Sequence, residues 1–224
     1  ALSRPRPAIP GNFFHDVYPA TEQNPRYSEG AVAVLDDGGL LYATTEFQGS
    51  GSDFAQAQIV GRTSRDGGKT WDAARVLQEN VGKRNVMSVS LVRPAPARRE
   101  QHPLMMFYLQ KDGFSDLHVF CRRSLDEGRT FAASVRVTSE AGYHVMNNDR
   151  VVRLATGRLL CPIASTPDVQ KVNHFTSTCM ISDDNGGTWR RGQGAVDQPR
   201  RGAMEPEVLE RSDGRVLMIV RTQL

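Results

Sequence analysis

The 224 residues carry 28 Lys+Arg against 25 Asp+Glu, a formal charge of +3. The basic residues are scattered, which leaves no electrostatic footprint for nucleic acid, and no apolar run reaches the roughly 18 residues of a membrane-spanning helix. Three cysteines, an odd number, argue against a disulfide framework, and the length suffices for one sizeable core or two small ones.

In chain order, residues 1–28 are Pro-rich and irregular, apart from an aromatic run at 13–18 that reads as a strand. Residues 32–41 (Val-Ala-Val-Leu-Asp-Asp-Gly-Gly-Leu-Leu) read as strand, tight turn and strand, and the pattern returns at 151–160 and 208–217. The turn glycines Gly39, Gly157 and Gly214 are 118 and 57 residues apart (157 − 39 and 214 − 157), the first interval being twice 59. Apolar runs at 58–60, 117–121 and 178–181 read as third strands. Each leads into one motif, S-x-D-x-G-x-T-(W/F): Ser64 to Trp71, Ser124 to Phe131 and Ser182 to Trp189, at offsets of 60 and 58 (124 − 64 and 182 − 124). The Ser and Asp side chains bond nearby backbone N–H groups, the Gly permits a positive φ, and the aromatic ring covers the unit's core. Runs at 75–77 and 135–137 read as outer strands. The sequence thus predicts four-stranded units at about 29–80, 85–138 and 145–197, the second with a basic, Pro-rich loop at 93–103, and a fourth that begins near Glu205 and has two strands by Leu224. Cys121 and Cys179 sit three residues before the Ser of a motif, where the first unit has Gly61, which predicts a small buried site.

The repeated motif resembles the Asp box, or BNR repeat, of the sialidase (neuraminidase) superfamily. The resemblance implies an all-β propeller with six blades in the family, of which residues 1–224 hold about three and a half as one partial domain. The 13–18 strand would then close the last blade, and a further chain segment or a partner chain would complete the ring, since an open arc exposes sheet edges. The family's Asp boxes lie on outer hairpins away from the active site, so these residues are read as holding the fold. The implied function is that of an exo-α-sialidase-like glycoside hydrolase acting on terminal sialic or other acidic sugars of glycans, with no cofactor, no metal and no membrane or nucleic-acid partner; the isolated chain is expected to be inactive. Two alternatives are a propeller that binds glycan or protein without hydrolysis, and a hydrolase for an uncharged sugar. Ala1 in place of Met, with the family resemblance, favours a secreted or periplasmic protein.

The resemblance also assigns residues. Guanidinium groups bind a sialic acid's carboxylate bidentately, and the family uses a Tyr nucleophile assisted by a Glu, with a separate Asp as general acid and base. Asp53, in Ser50-Gly51-Ser52-Asp53 ahead of the third strand, matches that Asp; read by itself it is an Asx-turn residue. Glu46 matches the acidic residue that buttresses the Arg cluster. The family's Arg-Ile-Pro motif is absent: its Arg falls near Ser28, Arg26 serves only if the loop shifts, and Glu29 stands at the start of the first inner strand. Glu205 matches the Glu partner of the nucleophile, with Glu207 as competitor on the same strand face, and Arg221 matches a carboxylate-binding Arg. Asn147, Asn148 and Arg150, placed just before the third inner strand with Tyr143 and His144, read as sugar-binding groups. The nucleophilic Tyr and the third Arg are expected beyond Leu224. The five histidines are isolated and give no metal-ligand spacing.

Overall fold

The structure, a computed structural model, describes residues 13–94 and 103–223. Strands β1 (Arg26–Val34), β2 (Leu40–Gln48), β3 (Gln56–Ser64) and β4 (Arg75–Gln78) form an antiparallel sheet in that order. Strands β5 (Asn85–Val92), β6 (Leu104–Lys111), β7 (Asp116–Ser124) and β8 (Val135–Arg136) repeat the arrangement. In the third unit β11 (Leu159–Thr166), β12 (Thr176–Ser182) and β13 (Arg190–Arg191) follow an inner strand broken into β9 (Gly142–Val145) and β10 (Val152–Arg153). β9 pairs with one end of β11 and β10 with the other. β14 (Met204–Glu210) and β15 (Val216–Arg221) pair antiparallel as the fourth unit.

Two expectations need correction. Residues 13–18 form no strand; Tyr18 instead stacks on Tyr27 at 5.0 Å, with the Arg62 guanidinium 4.8 Å from its ring, so side-chain packing against the first blade takes the place of ladder bonds. The third inner strand does not start at Val151. Tyr143 and His144 already lie in β9, which also runs parallel to β7 through Asp116↔Gly142 and Leu117↔Tyr143 and joins the second and third blades in one nine-stranded sheet.

The core lies between successive blades, and β6 explains how. Its side chains alternate faces. Leu104, Met106 and Tyr108 pack against Leu41, Ala43 and Ile59 of the first blade. Met105, Phe107 and Leu109 pack toward Tyr143, Cys161 and Ile163 of the third. One strand buried on both faces reads as a continuous apolar run. Val32 and Val34 on β1, and Leu209, Leu217 and Ile219 on the fourth unit, are exposed.

The Asp boxes are three copies of one hydrogen-bond network. Ser64 Oγ donates to Asp66 Oδ1 (2.9 Å) and accepts from Gly68 N (2.8 Å), while Asp66 accepts from Thr70 N (2.8 Å) and Thr70 Oγ1 (2.6 Å). Asp126 and Asp184 repeat it. Each later box also seats on the blade before it: a Cβ on Gly128 would lie 2.8 Å from Leu41, and one on Gly186 would lie 2.4 Å from Met105.

Candidate functional site

The inner strands share an irregularity. Register shifts fall between Ser28 and Ala31, Met87 and Ser90, and Met204 and Glu207, and the third inner strand is broken at the corresponding place. Each carries one non-glycine residue at positive φ: Glu29 (60°), Ser88 (57°), Asp149 (54°) and Glu205 (49°). They are 59, 61 and 56 residues apart (88 − 29, 149 − 88, 205 − 149). A bulge re-aims a side chain, and such a backbone conformation persists only where its surroundings over-determine it. Here the bulges hold one another. Asn148 Nδ2 donates to Gly30 O (2.8 Å), Asp149 N to Val89 O (3.1 Å), Arg150 N to Ser90 Oγ (2.8 Å) and Ser88 N to Thr45 Oγ1 (3.0 Å).

Glu29, Ser88 and Glu205 thereby line one cavity of about 360 Å³, together with Asp53, Phe54, Lys111, Tyr143, Asn147, Arg201 and Arg221. Ser88 Oγ donates to Glu29 Oε2 (2.6 Å), and Arg26 Nη2 lies 3.4 Å from Oε1. Burial nevertheless holds the Glu29 carboxyl above its ordinary pKa. Arg26 starts β1 and reaches the site from there: its Nη1 donates to Asp53 Oδ1 (2.6 Å) and Gly51 O (3.0 Å), and its Nε to Ser28 Oγ (2.8 Å). On the fourth unit Arg221 Nη2 lies 3.0 Å from Glu205 Oε1.

Other expected site residues lie elsewhere or do other work. Among the described residues no Arg side chain is bonded to Glu46. Its strand partner is Tyr27, whose hydroxyl donates to it (2.8 Å), and Gln58 Nε2 donates to its other oxygen (2.8 Å). Arg26 pairs with Phe47 across the same strands, so strand alternation puts Glu46 on the opposite face. Asn148 ties the third blade to the first, and Arg150 ties it to the fourth through Glu207 at 2.9 Å; neither lines the cavity. Asn147 does, and its Oδ1 is buried with no hydrogen-bond partner among the described residues.

Lys111 is the principal residue that sequence reasoning missed. It ends β6 on the same face as Met105, Phe107 and Leu109 and is 1% exposed. Its Nζ donates to Asp53 O (2.6 Å) and lies 4.4 Å from the centre of the Phe54 ring. Strand parity was the available signal, since a Lys in phase with buried residues must lie inside. Ser88 was signalled by its distance of one repeat from Glu29. Among the described residues no group of three His, Cys, Asp or Glu side chains is arranged to hold a metal ion.

A model of the BNR repeat-like domain family matches residues 83–224. The chain is 28% identical over 219 residues to a sialidase of Micromonospora viridifaciens, covering 87% of this chain and 32% of that protein, so it spans about a third of the length of that curated relative. Among solved structures it resembles a protein of unknown function from Dyadobacter fermentans (TM-score 0.72, 17% identity, 91% of this chain and 64% of that one). It also resembles the Hadza microbial sialidase Hz136 (TM-score 0.69, 16% identity, 89% and 42%), and the sialidase of Trypanosoma rangeli in complex with sialic acid (TM-score 0.66, 17% identity, 90% and 35%). The repeated Asp boxes, the blade order and these matches agree: the chain belongs to the BNR repeat-like domain family, within the sialidase superfamily of β-propellers.

Proposed function

We propose that the whole protein containing this chain is a glycoside hydrolase that removes a terminal sugar from a glycan, the cavity at the blade centre being where that sugar lies. One observation carries the reading: inner-strand bulges bring Glu29 and Glu205 from distant blades to the cavity that Asp53 and Arg221 also line. Asp53 is the proton donor to the leaving group and then the acceptor from water. Its carboxylate is half exposed and held by Arg26, which must release it when substrate enters. Glu205 and Arg221, ion-paired on another wall, position the reacting face. Arg221 is the guanidinium that supports a sialic or related acidic sugar. Against that class, Arg26 is engaged by Asp53 and Glu29, and Glu46 faces away.

The test is release of the aryl group from a panel of fluorogenic glycosides, sialoside included, by the full-length protein. Asp53→Ala is expected to lower kcat by about 10²–10⁴-fold on whichever member is cleaved; unchanged turnover would remove Asp53 from this role. Glycan binding without turnover is the second reading, favoured by the Arg26–Asp53 ion pair, and is distinguished by sugar binding with no product from any member of the panel.

A further inference from the structure

We infer that Glu29 selects the sugar: it receives a hydroxyl of an uncharged sugar and keeps a carboxylate out of the part of the cavity it faces. The inference rests on the glycosidase reading and narrows its substrate class. Glu29 is aimed into the cavity by its bulge and fixed there by Ser88 Oγ. The cations nearest to it already have acceptors. Arg26 is bonded to Asp53 and Gly51 O and touches Glu29 Oε1 only at 3.4 Å, and Lys111 is bonded to Asp53 O. On the third blade Asn147 lines the same cavity.

The charged acceptor that this wall turns to the cavity is therefore the Glu29 carboxylate, with the cations beside it already engaged. A carboxylate brings acceptors only and meets a like charge, whereas a hydroxyl can donate to Glu29 and still accept from a neighbour. A cationic amino group would have to displace Arg26, which already lies 3.4 Å from Glu29 Oε1. What remains is a neutral ring with a hydroxyl toward the first blade.

The experiment compares the full-length protein on an aryl α-sialoside and on aryl glycosides of neutral hexoses and deoxyhexoses. A neutral member is expected to exceed the sialoside in kcat/KM by about tenfold or more, because a site built to hydrogen-bond a hydroxyl discriminates strongly. Glu29→Gln keeps one acceptor and removes the charge. It is expected to raise KM for the neutral glycoside more than it lowers kcat, and to shrink the discrimination against the sialoside. Preference of the wild type for the sialoside overturns the inference without any variant, and so does a Glu29→Gln protein whose preference is unchanged. If no glycoside is cleaved, the glycosidase reading fails, and calorimetric titration of the wild type with methyl glycosides and with free sialic acid tests the inference separately. Tighter binding of the neutral sugar supports it; tighter binding of sialic acid, or binding of neither, overturns it.

Discussion

Replacing Lys111 by Met separates what its charge costs the fold from what it gives the site. Burial pulls the Lys111 ammonium down from 10.5 to about 8, against the opposing pull of Asp53 and Glu29. At 1.36 kcal/mol per pH unit that gap is roughly 3 kcal/mol by which the folded protein disfavours the charged form. The hydrogen bond to Asp53 O works the other way, and bonds from charged donors contribute about 1.5–3 kcal/mol. Its loss is cushioned because Asn85 Nδ2 donates to the same carbonyl at 2.9 Å. Methionine retains an unbranched stem against Phe54 and Met87. Lys111→Met is therefore expected to change stability at pH 7 by about 0–2 kcal/mol in the variant's favour, while impairing the site. The pH dependence is sharper. Between pH 8 and 10.5 the unfolded chain holds the Lys111 proton and the folded protein does not, so wild-type stability gains over this window relative to the variant. The stability difference should move by roughly 3 kcal/mol toward the wild type between pH 8 and 10.5, leaving the variant the less stable protein at the upper end. Urea unfolding of both proteins at intervals from pH 7 to 10.5 measures it. A difference that stays constant across the window, or a loss above about 2 kcal/mol at pH 7, would refute the reasoning.

His118 sits beside the β7–β9 seam, its Nδ1 at Thr138 Oγ1 (3.1 Å) and its Nε2 near Arg136 (2.7 Å) and Asp116 (3.1 Å). Burial, and then Arg136, depress its pKa to about 4. The unfolded chain takes up this proton first, so stability falls as pH drops from about 6.5 to 4; His118→Gln should flatten the thermal midpoint over that window, and an unchanged slope would exclude His118 as its source. Gly202 has φ +80° and a Cβ there would lie 2.0 Å from Phe175 O. Gly202→Ala carries about 1–3 kcal/mol of backbone strain before any clash is counted; because Phe175 and Arg201 line the cavity, both the unfolding midpoint and ligand affinity should fall, and a variant with wild-type values would contradict the placement of this segment.

The Asp boxes were legible because each network closes within eight residues: Ser64, Asp66, Gly68 and Thr70 bond among themselves. The inner hairpins were legible for the same reason, since a turn and its two strands are local. The run at 13–18 misled because aromatic residues suit a strand and a packing platform equally, and only the position of Tyr27 and Arg62 decides between them. Glu46 was misplaced because strand face is set by register, and the bulge after Ser28 resets it. Lys111 finds its partner Asp53 58 residues away in another blade. No local pattern contains that pairing.

The bulges show why the site resisted a residue-by-residue reading. Positive φ falls on Glu, Ser, Asp and Glu in the four blades, so no residue type announces it, as a glycine would. What is repeated is a place in the fold. Each bulge is unfavourable by itself and is retained by bonds from its neighbours: Asn148 to Gly30, Asp149 to Val89, Arg150 to Ser90, Ser88 to Glu29. The residues that hold the blades together at the centre are thus the ones that aim side chains into the cavity. Asn148 and Arg150, which the sequence suggested as sugar ligands, bond instead to Gly30 O of the first blade and to Ser90 Oγ and Glu207 of the second and fourth. The side chains at the four positions are then free to differ while the backbone that presents them stays the same. On that argument the bulge backbone can be kept while the side chain it presents to the cavity differs in charge, as Glu29, Ser88 and Glu205 do here.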